Sequence, residues 1–154
     1  MTTYDYFTRA EQIERVAAEI YTRLAQDFAG SPSVSATFRE LANEELQHAT
    51  RIRLIRNQYR SNPGLFARME RLEEELAAIE TAAERLRDEV SRGAWGKDLA
   101  GIRPRLAAME ESLHLHAETM ARGAGPGIRE FFESLARQDD AHRRLFTGTG
   151  TGLG

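Results

Sequence analysis

The chain has 154 residues, 41% of them hydrophobic and 29% charged, with 4 Pro and no Cys. A chain of that size makes one domain and can bury roughly 70% of its unfolded surface without a covalent staple. The lack of Cys excludes disulfides, thiolate-bound zinc, iron–sulfur clusters and thiol catalysis, and the formal net charge of −3 argues against nucleic acid as a partner. Any metal must then sit on carboxylate and imidazole. No apolar run reaches the ~20 residues of a membrane span, and Met1-Thr2-Thr3-Tyr4-Asp5 does not resemble a secretory signal. A cytoplasmic protein with no membrane partner is expected.

Strand-type alternation is nearly absent, and the apolar period is helical throughout. The first predicted helix carries Phe7, Ala10, Glu14, Ala17, Tyr21, Leu24 and Phe28 at spacings of 3 and 4. Gly30-Ser31-Pro32-Ser33 ends it and supplies a serine cap to the second. The second runs through Val34, Phe38, Leu41, Glu45, His48, Ile52, Ile55 and Tyr59, and Asn62-Pro63-Gly64 reads as a turn. A third helix, over 65–92, presents Leu65, Met69, Leu72, Leu76, Ile79, Ala83, Leu86 and Val90, with Glu73-Glu74-Glu75 on a solvated face. Gly93 to Arg103 breaks it from a fourth, whose first turn is expected at Pro104. The fourth carries Leu106, Glu110, Leu113, Ala117 and Met120. Beyond Gly123-Ala124-Gly125-Pro126-Gly127, a fifth carries Ile128, Phe132, Leu135, Asp139, His142 and Phe146. The chain therefore reads as all-α: a helical hairpin over 5–60, a crossover helix over 65–92, a second hairpin over 104–147, and a flexible Gly/Thr tail over 148–154.

Four acids stand where leucine would be expected. Glu14, Glu45, Glu110 and Asp139 each lie on an apolar stripe, where a carboxylate has to be paired, protonated or metal-bound. His48 and His142 follow Glu45 and Asp139 by three residues, on the same helical face. The two clips are copies. Phe38 to His48 aligns without gaps on Phe132 to His142 at a shift of 94, with the Phe, the Leu-Ala pair, the acid and the His coinciding. A shift of 96 brings Leu24-Ala25 onto Met120-Ala121 and Glu14 onto Glu110. Four carboxylates and two imidazoles suit a pair of iron or manganese ions, whereas zinc usually takes fewer ligands in a tetrahedron.

These residues resemble the ferritin-like di-iron carboxylate superfamily, whose bundles draw a Glu from each of two helices and Glu-x-x-His from the other two. Within it the chain is most similar to the rubrerythrin-like group, and the Glu14…Tyr21 spacing is shared with ferritins. The resemblance implies a ferritin-like four-helix bundle, over 1–147, with the long helix in the crossover. It also implies a di-iron oxidoreductase that reduces peroxide or O2 with electrons from an external donor, or else an iron-oxidising, iron-storing or iron-delivering protein. Two Fe ions are the expected cofactor, with Mn or Zn as alternatives. Three departures stand out: Asp139 replaces the usual Glu, Ala117 stands where the first repeat has Tyr21, and the four-Cys iron domain of rubrerythrins proper is absent.

Other residues compete for roles. His114, four residues after Glu110, could add a ligand; Glu111 could exchange with Glu110; and Tyr21 could bond a ligand or fill the core. His116 is expected to point elsewhere. Arg51, Arg53, Arg56 and Arg60 read as a solvated basic end of the second helix. The third helix is expected to cross over and to contribute to a homodimer or higher homo-oligomer. A helical interaction module with a vestigial site is the non-enzymatic alternative.

Overall fold

The computed structural model describes residues 2–61, 73–123 and 126–148, which form five α-helices and no strand among the described residues. The predicted turn at 62–64, the first part of the crossover helix at 65–72 and most of the tail lie outside the described residues. Helix α1 spans Thr3–Asp27. Thr2 caps it reciprocally: its Oγ1 accepts from the Asp5 N–H at 3.0 Å, while Asp5 accepts from the Thr2 N–H at 2.9 Å. Helix α2 spans Pro32–Ser61, with Pro at the first position, where its missing N–H costs nothing. The Ser35 hydroxyl then donates to the Ala25 carbonyl at 2.7 Å and fixes the start of α2 on the end of α1.

Helix α3 is described over Glu73–Ser91, α4 over Leu99–Gly123 and α5 over Pro126–Thr147. The end of α3 is a Schellman turn: Ala94 N–H donates to the Glu89 carbonyl at 2.9 Å and Gly93 N–H to that of Val90 at 3.0 Å. Gly93 holds φ +69° there, a conformation that costs a side-chain residue ~1–2 kcal/mol. Trp95 closes the connection by donating to Glu89 at 2.9 Å.

The start of α4 corrects the sequence reading. The helix begins at Leu99, with Pro104 inside it rather than in its first turn. The Asp98 carbonyl accepts from the N–H groups of Gly101 and Ile102, both at 3.1 Å. Gly101, taken as a helix breaker, leaves room for the Asp98 carboxylate, whose Oδ2 would lie 3.0 Å from a Cβ there. The extra turn places Ile102 in the core at 1% exposure. Burying an isoleucine is worth roughly 1.5–3 kcal/mol, which outweighs the ~1 kcal/mol that glycine costs a helix.

α1 packs along α2, and α4 along α5, as two hairpins; α3 lies chiefly against α1 and touches α4 more lightly. The seam of α3 (Leu76, Ile79, Ala83 and Val90) is buried within the chain, and Arg9 of α1 pairs with its Glu80. Helices of different hairpins keep their backbones further apart than helices of one hairpin. Large side chains fill that space, with Phe7 stacked on Phe132 at 6.4 Å and Tyr21 on Phe146 at 6.1 Å. Among the described residues no helix is long and apolar enough to cross a membrane. The Arg-rich end of α2 is engaged inside the chain: Arg56 bonds Glu11 at 3.2 Å, Arg60 bonds the Tyr4 hydroxyl at 2.8 Å, and Arg51 lies over the Phe131 ring at 5.2 Å.

Candidate metal centre

The helical stripes of both hairpins converge midway along the bundle, and Glu14, Glu45, His48, Glu110, Asp139 and His142 meet there. Each is at most 4% exposed. They form two overlapping clusters whose donor atoms lie within 4.8 Å of one another: Glu14, Glu45, His48 and Asp139 in one, and Glu45, Glu110, Asp139 and His142 in the other. Glu45 and Asp139 belong to both, as bridging carboxylates would. The clusters are exchanged by the repeat, Glu14 for Glu110, Glu45 for Asp139 and His48 for His142. The two imidazoles stack at 5.7 Å with 21° between their planes.

Both rings turn Nδ1 toward the acids. His48 Nδ1 lies 3.4 Å from Glu45, 3.7 Å from Glu14 and 3.9 Å from Asp139; His142 Nδ1 lies 2.9 Å from Glu45 and 3.5 Å from Glu110. Among the described residues, Glu14 Oε2, Glu45 Oε2, Glu110 Oε2, both Asp139 oxygens and His48 Nδ1 are buried with no hydrogen-bond partner. Leaving one such group unsatisfied costs roughly 1–3 kcal/mol, more when it is charged. Six together point to a positively charged guest. Carboxylate and imidazole donors in this number fit a pair of iron or manganese ions.

The protonation pattern follows. Burial, and then the neighbouring acids, push the Glu45 and Asp139 carboxyls well above the usual range. Burial also pushes Glu14 up, but Glu45 and His48 beside it outweigh that and leave it lowered. Burial alone would depress the imidazoles; the carboxylates around them prevail and hold His48 at about 11 and His142 at about 12. Without a cation, the site holds protons in its place.

Two neighbours hold the ligand candidates. Tyr21, fully buried between Phe38 and Phe146, donates its hydroxyl to Glu110, and so both fills the core and bonds a carboxylate of the site. Glu44 takes the Nε2–H of His142, leaving Nδ1 facing the acids. Sequence reasoning missed Glu44, because the contact crosses from α2 to α5 and leaves no mark in the period of either helix.

Two of the further candidates lie elsewhere. Glu111 points outward to Arg143 at 3.0 Å, one residue around the helix from the stripe that faces the other hairpin. His114 keeps to that stripe, but its Nδ1 is 2.8 Å from the Ala136 carbonyl and its Nε2 3.4 Å from Glu118, so it braces α4 on α5. His116, expected to point away, is buried and bonded to Tyr6 at 2.5 Å. It leaves the ligand stripe but turns toward the face that α1 and α3 cover, which the period of α4 alone does not show. Between α2 and α5 a cavity of about 230 Å³, lined by Glu44, Gln47, His48, Gln138, Ala141 and His142, opens onto both imidazoles.

The rubrerythrin family profile matches residues 5–149. The chain belongs to the rubrerythrin family. The match spans both hairpins and the helix between them. No curated protein matches the chain. No solved structure matches it either.

Proposed function

We propose that this rubrerythrin-family chain is a di-iron oxidoreductase that reduces peroxide or O2. The observation that carries the reading is the pair of clusters sharing Glu45 and Asp139, buried and holding six polar atoms without a hydrogen-bond partner among the described residues. Glu14 and His48 would hold one ion, Glu110 and His142 the other, with Glu45 and Asp139 between them. Two irons held there would supply two electrons per encounter, the number that, with two protons, converts peroxide to water.

The chain's own residues do the rest. Glu44 keeps the Nε2 proton on His142 and thereby presents Nδ1. Tyr21 orients Glu110 through its hydroxyl. The α2–α5 cavity is small, and its glutamines and imidazoles are polar, so it suits a small oxidant better than an organic substrate. With no Cys in the chain, electrons would come from an external donor.

The test is iron per chain after anaerobic Fe(II) loading and desalting, followed by peroxide turnover with a reductant. About two irons per chain, lost in His48→Ala, with peroxide consumption in the wild type, is the expected result. Many irons per assembly without turnover would favour iron oxidation and storage. No retained iron would leave a helical interaction module.

A further inference from the structure

The two halves of the site are not equivalent, and the difference lies where the repeat fails. Tyr21 holds Glu110, but its counterpart on α4 is Ala117, and Asp139 is one methylene shorter than its counterpart Glu45. Both positions border a void of about 30 Å³ beside Glu14, lined also by Tyr6, His116 and mostly apolar side chains. A water molecule needs roughly 10–15 Å³ of such volume and two to four polar partners. Glu14, Asp139, Tyr6 and His116 are the polar side chains that line the void.

Across the void stands a line of three polar side chains from three helices. The Tyr6 hydroxyl on α1 is hydrogen-bonded at 2.5 Å to His116 Nε2 on α4, and His116 Nδ1, which makes no hydrogen bond among the described residues, faces Glu75 Oε1 on α3 within ion-pair reach at 3.3 Å. Exposure falls along it, from 39% for the Glu75 side chain to 1% for Tyr6. Burial keeps His116 below its ordinary value, although Glu75 and Glu14 oppose this. The ring is therefore neutral near pH 7, with Nε2 able to accept from the phenol. Burial, with Glu75 and Glu14, raises Tyr6 far above a free phenol, so a phenolate does not accumulate.

We propose that Glu75, His116 and Tyr6 form a proton relay joining the outer surface of α3 to the Glu14–Asp139 side of the metal centre. The inference rests on the metal-centre reading above. In the outward direction, a proton displaced from the ligands passes through water in the void to Tyr6 Oη as the phenolic proton moves to His116 Nε2. His116 gives its Nδ1 proton to Glu75, which releases it to solvent. One proton is transferred and no electron moves. The reverse direction supplies the protons that reduction of peroxide or O2 consumes. The relay leaves through α1, α3 and α4, whereas the cavity at His48 and His142 opens between α2 and α5, so ions and oxidant need not share a path with protons. It also gives the crossover helix a part in the chemistry, through Glu75.

Rapid mixing of the metal-free protein with Zn(II), using one dye for free zinc and another for protons, tests the relay without any redox activity. Zinc binding displaces protons from the ligands. In Tyr6→Phe and His116→Gln, proton release is expected to slow at least tenfold, with zinc stoichiometry and total protons released unchanged. Glu75→Gln, at the exposed mouth where folding is not at risk, is expected to slow it in the same direction, and Glu75→Asp to restore it. Release within twofold of wild type in all three disabling variants overturns the relay while leaving the metal centre standing. Failure of the wild type to bind zinc overturns both.

Discussion

Glu44 and Glu45 are adjacent in the chain and do different work. Glu45 lies on the stripe facing the second hairpin and is wholly buried; Glu44 sits at the edge with its side chain 41% exposed and reaches across to the far ring nitrogen of His142. A partner of that kind fixes a histidine's tautomer, and its loss typically weakens a metal site ~10–100-fold. Glu44→Ala is therefore expected to weaken binding of the ion beside His142 by that factor and to leave the ion beside His48 unchanged. Stepwise zinc titration by calorimetry would resolve the two. The six clustered acids and histidines were legible because each breaks an apolar stripe that its neighbours define, and because the break occurs twice in register. Glu44 and the Tyr6–His116 pair were not. Their partners lie 98 and 110 residues away on other helices, and no local period encodes such contacts.

At the scale of the helices, four of the five seams could be read over most of their length, because spacings of three and four fix which face is buried. The start of α4 could not. Gly101 and Pro104 read as punctuation until the burial of Ile102 and the capping position of Asp98 are known, and both are tertiary facts. Gly93 is the opposite case, a glycine whose position after the last turn of α3 makes its role local. Gly93→Ala is expected to cost about 1 kcal/mol, since alanine must adopt the left-handed conformation there. Gly30→Ala, where an added methyl meets nothing within 4 Å, should stay within about 0.5 kcal/mol. Urea denaturation of the two variants beside the wild type checks both.

Over the whole molecule, the site couples folding to pH, and on the reading proposed above it would couple folding to metal as well. In the unfolded chain the clustered groups titrate near 4.5 for Glu45, 3.8 for Asp139 and 6.5 for the histidines; in the folded chain all four are raised, the histidines to about 11 and about 12. Between those limits the folded state binds more protons than the unfolded one, so stability falls as pH rises. Glu14, which is lowered, acts the other way, and its contribution is lost as pH falls below the ordinary carboxylate range. Metal reverses the sign, because the same groups must lose protons to bind it. The melting temperature of the metal-free chain is expected to fall from pH 5 to pH 8, and that of the zinc-loaded chain to rise, as calorimetry at both pH values would show. The spacing between the hairpins has a mechanical consequence as well. Each cluster takes three of its four donors from one hairpin and the fourth from the other, across the plane where the backbones stand furthest apart. One half of the chain would therefore grip an ion before the other half reaches it, so that loading would resemble fastening a clasp. Release, equally, would require the halves only to part along that plane while every helix stays wound.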